Sequence, residues 1–305
     1  MTKTIPGLHH ITAISGPPQP NVDFFTGTLG QRLVKKTVNF DAPDVYHLYY
    51  GDEAGSPGTI MTFFPFVNAK KGSAGFGTTD TYAYAVPKGK FDEWVTRLQA
   101  SGAQFDVQPD RFGARVIRLS DPDDAIVELI ETDSTASSAL DGFHSATLWV
   151  EDIAPTAKVL TEVFGYEESG HVNEAGEERL RLQAPGDARA RIIDVIRKDG
   201  ATKAKQGAGS IHHIAFRAET DEVQLHWRDA LLAQGHAVTE VRDRQYFNAI
   251  YFREPGGVLF EIATDPPGFA VDEDPSSLGE VLKLPPQYEA RRAELEQVLP
   301  PIKLA

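Results

Sequence analysis

Four times along this chain, at intervals of about 68 residues, an apolar strand-like segment opens after a glycine or another small residue: 7–14, 79–86, 142–150 and 210–218. Each is followed by a stretch whose apolar residues recur at helical spacing, over 22–29, 91–100, 154–164 and 222–234. Three of these stretches stop near a glycine, at Gly30, Gly102 and Gly235, the residue that best ends a helix. Alternating or β-branched runs come next: 46–50 and 59–64, 115–119 and 125–130, 180–183 and 190–196, 249–253 and 258–263. The repeating unit reads strand, helix, then about three strands, so the expected class is α+β, four βαβββ modules. One such unit exposes an apolar sheet face that it cannot bury alone, so paired units should close their sheets around a shared cleft. The polar run from Thr132 to Ser138 is the expected seam, giving an N-terminal half of modules 1 and 2 (1–138) and a C-terminal half of modules 3 and 4 (139–265). A Pro-rich, acidic tail (266–305), with a helix expected over 287–298, should pack over the body.

Composition narrows the chemistry. Thirty Lys and Arg against 44 Asp and Glu leave a net charge of −14, so no positive field draws this chain to nucleic acid or an anionic membrane. No stretch approaches the roughly 20 apolar residues of a membrane span, and the first residues lack the basic-then-apolar pattern of a signal peptide, which predicts a cytoplasmic protein. With no cysteine, disulfides, thiolate catalysis, iron–sulfur clusters and Cys-ligated zinc drop out, and any metal must be held by nitrogen and oxygen.

Four of the nine histidines fall at two equivalent places, Leu8-His9-His10-Ile11-Thr12 in module 1 and Ile211-His212-His213-Ile214-Ala215 in module 4. One buried His pair is readily explained as a hydrogen-bonded structural feature. Two pairs at one repeat position instead suggest ligands, because a strand histidine loses hydration while imidazole binds divalent metals well. Neighbouring strand residues face opposite ways, so one nitrogen ligand is expected from each pair. Glu261 interrupts the apolar strand Val258-Leu259-Phe260-Glu261-Ile262 and can supply a carboxylate; its alternative is an ordinary outward-facing glutamate. Module 2 carries Glu128 at the place of Glu261 but Thr81 at the place of His213, and module 3 has Ser145 there, so a single site, from modules 1 and 4, is expected. Those two modules should therefore lie side by side in one barrel-like half. Two histidines and one carboxylate leave three coordination positions open, as suits non-haem Fe(II) and oxygen chemistry.

The His-His-Ile-Thr opening, the repeat spacing and the Pro255-Gly256-Gly257-Val258-Leu259-Phe260-Glu261 close resemble the vicinal oxygen chelate superfamily. More narrowly, the chain resembles its ring-cleaving dioxygenases of the hydroquinone and 2,6-dichlorohydroquinone 1,2-dioxygenase type. The match runs nearly end to end, through Tyr46-His47-Leu48-Tyr49, Gly58 to Pro65, Arg111-Phe112-Gly113, Asp272-Glu273-Asp274 and Ser277-Leu278-Gly279. The resemblance implies Fe(II), with Mn(II) as the alternative, held by His10, His213 and Glu261. It also implies that His9, Thr12, His212, Arg244 and Tyr251 surround a small aromatic substrate and O2, and it leaves room for a homo-oligomer. Pleat geometry puts Thr12 on the face of His10. It turns His9 and His212 away unless a bulge re-aims them, and sets Tyr251 across from Glu261 only in one hairpin register. Without the resemblance, Arg244 in Arg242-Asp243-Arg244-Gln245-Tyr246 reads equally as a solvated loop charge.

The expected reaction is O2-dependent opening of a hydroquinone ring between a hydroxylated carbon and its neighbour. Two rivals share the scaffold: a glyoxalase-like isomerase or transferase, which usually adds a fourth protein ligand, and a metal-free protein that binds an aromatic ligand. A catechol-cleaving enzyme is the nearest cousin.

Overall fold

In the computed structural model, which describes residues 4–304, the four repeats fold on one pattern. Module 1 supplies β1 (Leu8–Ser15), β2 (Arg32–Asn39), β3 (Ala42–Gly51) and β4 (Ile60–Pro65). Module 2 supplies β5 (Thr78–Val86), β6 (Phe105–Arg111), β7 (Ala114–Ser120) and β8 (Ile126–Glu131). Module 3 supplies β9 (Phe143–Trp149), β10 (Glu167–Glu174), β11 (Glu177–Gln183) and β12 (Ile192–Lys198). Module 4 supplies β13 (Ser210–Ala218), β14 (Arg242–Asp243), β15 (Phe247–Arg253) and β16 (Leu259–Pro267), the last running two residues past the expected end of the module. In every module the fourth strand lies parallel to the first, and the second and third form an antiparallel hairpin beside it.

The helix of each module follows its first strand. α1 (Pro18–Val22) widens into a π-helical turn over Asp23–Thr28, and α3 (Ile153–Lys158) does the same over Val159–Val163. α2 (Phe91–Ser101) and α4 (Asp221–Ala233) are regular, and α2 stops on Gly102 in the left-handed conformation that glycine adopts without a steric cost. Among the described residues no helix is long and apolar enough to cross a membrane.

The sixteen strands form two curled eight-stranded sheets, ordered β14-β15-β16-β13-β1-β4-β3-β2 and β10-β11-β12-β9-β5-β8-β7-β6. Modules 1 and 4 make the first sheet and modules 2 and 3 the second, each joined by an antiparallel seam, β1 to β13 and β5 to β9. Each sheet thus takes one module from either side of residue 138. The main core packs helix residues such as Phe25, Trp94, Leu160 and Trp227 with the apolar strand residues. On the first sheet a second cluster, with Val34, Tyr49, Ile60, Ala215 and Ala263, is completed by Phe269 and Leu278 of the tail.

The tail lies over β2 and β3. Fully buried Lys35 on β2 is paired with Asp272 and Glu273, Lys36 bridges to Leu282, and Tyr288 donates to the Phe40 carbonyl. Gly279 crosses β2 so closely, at a positive φ, that a Cβ there would run into the Leu33 carbonyl. The tail helix α5 (Arg292–Val298) is preceded by a 3-10 turn over Pro286–Arg291.

Candidate metal centre

Strand register brings the candidate residues together. Across the first sheet, His10 of β1 pairs with Ala215 of β13, Ala215 with Glu261 of β16, and Glu261 with Tyr251 of β15. One row along, Tyr49 of β3 pairs with Thr62 of β4, Thr62 with Thr12, and Thr12 with His213. Side chains in register project from one face, so the two rows place His10, His213 and Glu261 around a single point. Ala215 stands between His10 and Glu261, and its small side chain leaves room for them to converge.

Their ligand atoms lie within 4.8 Å of one another and all three residues are buried. His213 Nε2 is 2.9 Å and His10 Nε2 3.6 Å from Glu261 Oε2, yet neither approach runs along an N–H bond, and both carboxylate oxygens stand without a hydrogen-bond donor. Burial alone would push the Glu261 carboxyl up; the two adjacent histidines outweigh it and hold the group well below the usual range, so it is an anion. A fully buried carboxylate with no donor is costly unless a cation compensates it. Two imidazole nitrogens and one carboxylate oxygen fit a divalent metal, and among the described residues these three are the groups that converge so.

The remaining two histidines are re-aimed by bulges. The β1 to β13 pairing slips at Leu8/His10 and again at Thr12/Ala13, where His213 and Ile211 are the partners, so the extra residues are His9 and His212. Their Nδ1 atoms lie 3.0 Å from His10 Nδ1 and 2.8 Å from His213 Nδ1. For His10 and His213 to offer Nε2 to a metal, each must carry its proton on Nδ1 and donate it to this neighbour, which fixes the tautomer. His9 and His212 can accept because they are neutral. Burial, then the adjacent His10, lowers His9 well below its ordinary value, and burial, then His213, lowers His212 to about 3.

The site forms the floor of a cavity of about 340 Å3 with aromatic walls from Phe64, Phe247 and Tyr49. Phe24, Phe25, Phe63 and Phe252, by contrast, lie in or against the core. Tyr251 Oη accepts from Arg244 Nε at 3.2 Å, and Arg244 also donates to Asp41. Burial, then the Glu261 charge, raises the Tyr251 phenol, which therefore stays protonated. Arg244 sits on a tight turn. Gln245 takes a left-handed φ of 67°, its amide donates to Asp243, and Asp272 of the tail accepts from both Gln245 and Tyr246. Thr12 lies beneath the cavity wall, 2.8 Å from Thr62.

Sequence reasoning missed His47 and Tyr49. His47 Nε2 lies 2.9 Å from Thr62 Oγ1 and His47 Nδ1 2.8 Å from Tyr49 Oη, so a buried hydrogen-bonded chain runs Tyr49, His47, Thr62, Thr12 along one wall. The signal was present: a histidine inside an apolar strand, as informative as Glu261. Burial, then His10, keeps His47 neutral.

The second sheet shows what the same framework does without ligands. Its seam bulges at the equivalent places, Asp80 and His144, and His144 Nδ1 bonds Ser145 Oγ as His212 does His213. Glu128 accepts from Arg111 and Arg118, and Asp194 of β12 accepts from Arg179 and Arg181. Arginines thus pair with both of its buried carboxylates, and among the described residues no second cluster of histidine and carboxylate ligands converges there.

Comparison with known proteins agrees with this architecture. MhqO of Bacillus subtilis (strain 168), named a ring-cleaving dioxygenase, is 44% identical over 100% of this chain and 99% of its own. The chlorohydroquinone/hydroquinone 1,2-dioxygenase of Sphingobium indicum is 33% identical over 97% of this chain and 96% of its own. The crystal structure of a Bacillus subtilis subsp. subtilis str. 168 protein described as a dioxygenase superposes with a TM-score of 0.92 at 44% identity, covering 99% of both chains. Glyoxalase I from Zea mays, at 14% identity and a TM-score of 0.65 over 85% of this chain and 92% of its own, shares the fold alone. The family model for the Glyoxalase/Bleomycin resistance protein/Dioxygenase superfamily matches residues 7–129 and 142–262, and the chain, with its vicinal oxygen chelate fold, belongs to that superfamily.

Proposed function

We propose that this protein is a non-haem Fe(II)-dependent ring-cleaving dioxygenase that opens a hydroquinone between a hydroxylated carbon and its neighbour, placing both atoms of O2 in the product. The observation that carries the reading is the donorless, buried Glu261 carboxylate converging with two imidazole nitrogens on the floor of an aromatic-walled cavity. Its relatives named as dioxygenases support the dioxygenase class.

His10, His213 and Glu261 would hold the metal, whose bound form supplies Lewis acidity and open positions that bring phenolate and O2 together. The chain's own residues do the rest. Phe64 and Phe247 hold the ring by its faces. His212, neutral and lining the cavity, accepts from His213 at Nδ1 and so carries its own proton on Nε2, from which it can donate a hydrogen bond to a substrate oxygen, while the proton of the hydroxyl that becomes phenolate passes to solvent. Tyr251, kept protonated beside Glu261, can return a proton to the oxygen that develops charge, while Arg244 fixes the phenol oxygen and adds a positive charge to that wall. His9 and Thr12 act behind the cavity, His9 on the tautomer of His10 and Thr12 on the hydrogen-bonded wall. Three converging groups favour this over a glyoxalase-like enzyme with four, and a donorless carboxylate disfavours a metal-free binding protein.

The test is an oxygen-electrode assay on anaerobically Fe(II)-loaded protein with hydroquinone, substituted hydroquinones and catechol in parallel. One O2 consumed per hydroquinone opened is expected, with catechol slower; uptake confined to catechol, or none at all, refutes the reading.

A further inference from the structure

A second cavity of about 770 Å3 adjoins the metal cavity, and Ile14, Phe66 and Gln206 line both. Its other walls are largely apolar, with Tyr46, Val67 and Val298 among them, the last contributed by α5 of the tail. Val67 is 49% and Val298 55% exposed, although apolar side chains of this size usually find cover. The charged residues at its margin, Asp44 and Lys70, are exposed and of opposite sign, so the chamber has no net attraction for an ion. The metal cavity behaves differently: its cation, Arg244, and its ligand cluster are all on its own side of the shared wall.

We propose that the second chamber is a subsite for an apolar ring substituent, so that the preferred substrates are hydroquinones bearing a linear alkyl chain of several carbons. This rests on the ring-cleaving reading above. The ring lies over His10, His213 and Glu261, and the chain passes between Ile14 and Phe66 to lie against Tyr46, Val67 and Val298. The tail thereby acquires a second task, completing the wall of a substrate chamber as well as clamping the Arg244 turn.

The experiment measures binding of hydroquinone and of its methyl, propyl, pentyl and heptyl derivatives to the Fe(II)-loaded protein under nitrogen by calorimetry, with O2 uptake followed on the same series. Affinity should rise roughly fourfold for each methylene buried, then level once the chamber is filled. Within the Val67→Glu and Val298→Gln variants the gain per methylene should fall toward one, the comparison being internal to each variant. Affinity that is flat or falls with chain length overturns the proposal, as does a gain that survives unchanged in both variants, which would be general partitioning of the chain. The two readings fail separately. Rising affinity without O2 consumption removes the ring-cleaving reading and keeps the subsite, whereas O2 consumption with hydroquinone and no chain-length gain does the reverse.

Discussion

Glu128 and Glu261 occupy the same place in two modules of one repeat, yet replacing each by alanine should have opposite consequences. Glu128, 1% exposed, accepts four hydrogen bonds, at 2.5 and 2.9 Å from Arg111 and at 3.2 and 2.8 Å from Arg118. Removing one partner of a buried ion pair costs about 3–5 kcal/mol, because the other charge is left uncompensated. Arg118 is 38% exposed and can turn to water, which places Glu128→Ala near the lower end, about 3 kcal/mol. For a chain of this size that lowers the melting temperature by roughly 4–6 °C. Glu261 accepts no hydrogen bond and its burial is offset only by the neighbouring His10 and His213, so Glu261→Ala should leave the metal-free protein within about 1 kcal/mol of its parent. The assay is thermal unfolding by circular dichroism on chelator-stripped protein, the three chains side by side. A Glu261→Ala loss as large as that of Glu128→Ala would mean that the carboxylate is structurally paired and would remove the argument for a metal. An unchanged melting temperature in Glu128→Ala would refute the ion-pair account of the second sheet.

Other expectations follow from the same geometry. Burial, then the Arg181 charge, lowers His144 to about 4, so the native state stays neutral where the unfolded chain takes up a proton; stability is full above about pH 6.5 and is lost as pH falls toward 4. His144→Gln should remove about 1–2 kcal/mol of the difference between pH 7 and pH 5 in urea unfolding, and an unaltered pH dependence would show that His144 is not held neutral. Ala215→Leu places a larger side chain between His10 and Glu261 and should abolish metal binding while costing about 1–3 kcal/mol of stability; full metal content in that variant would contradict the register. Tyr251→Phe should lower kcat by about 10²- to 10⁴-fold with metal content unchanged, and a wild-type rate would take proton transfer away from Tyr251.

Much of this was legible in the sequence because it is periodic. First, third and fourth strands carry apolar alternation, and the paired His-His motifs stand out against it. The second strands were hidden for a physical reason: β6, β10 and β14 lie at or near sheet edges with mostly exposed polar residues, so they lack a buried face to write a pattern. β2 is buried, but under the tail, which local periodicity does not reveal. The positions of His9 and His212 depended on bulges, and those are set by pairing between strands about 200 residues apart. The Tyr49, His47, Thr62, Thr12 chain and the spacing role of Ala215 likewise exist only across register. The arginines that pair with the buried carboxylates of the second sheet looked in sequence like ordinary strand charges. The equality of Glu128 and Glu261 in the repeat was visible, whereas their opposite environments were not.

The most direct test of the central claim is the metal content of the chain after anaerobic loading with Fe(II) and removal of free ion. One equivalent per chain in the parent and in Glu128→Ala, and none in Glu261→Ala or His213→Ala, is the predicted result. A second equivalent in the parent, or a full equivalent retained without Glu261, would contradict a single centre built where modules 1 and 4 meet.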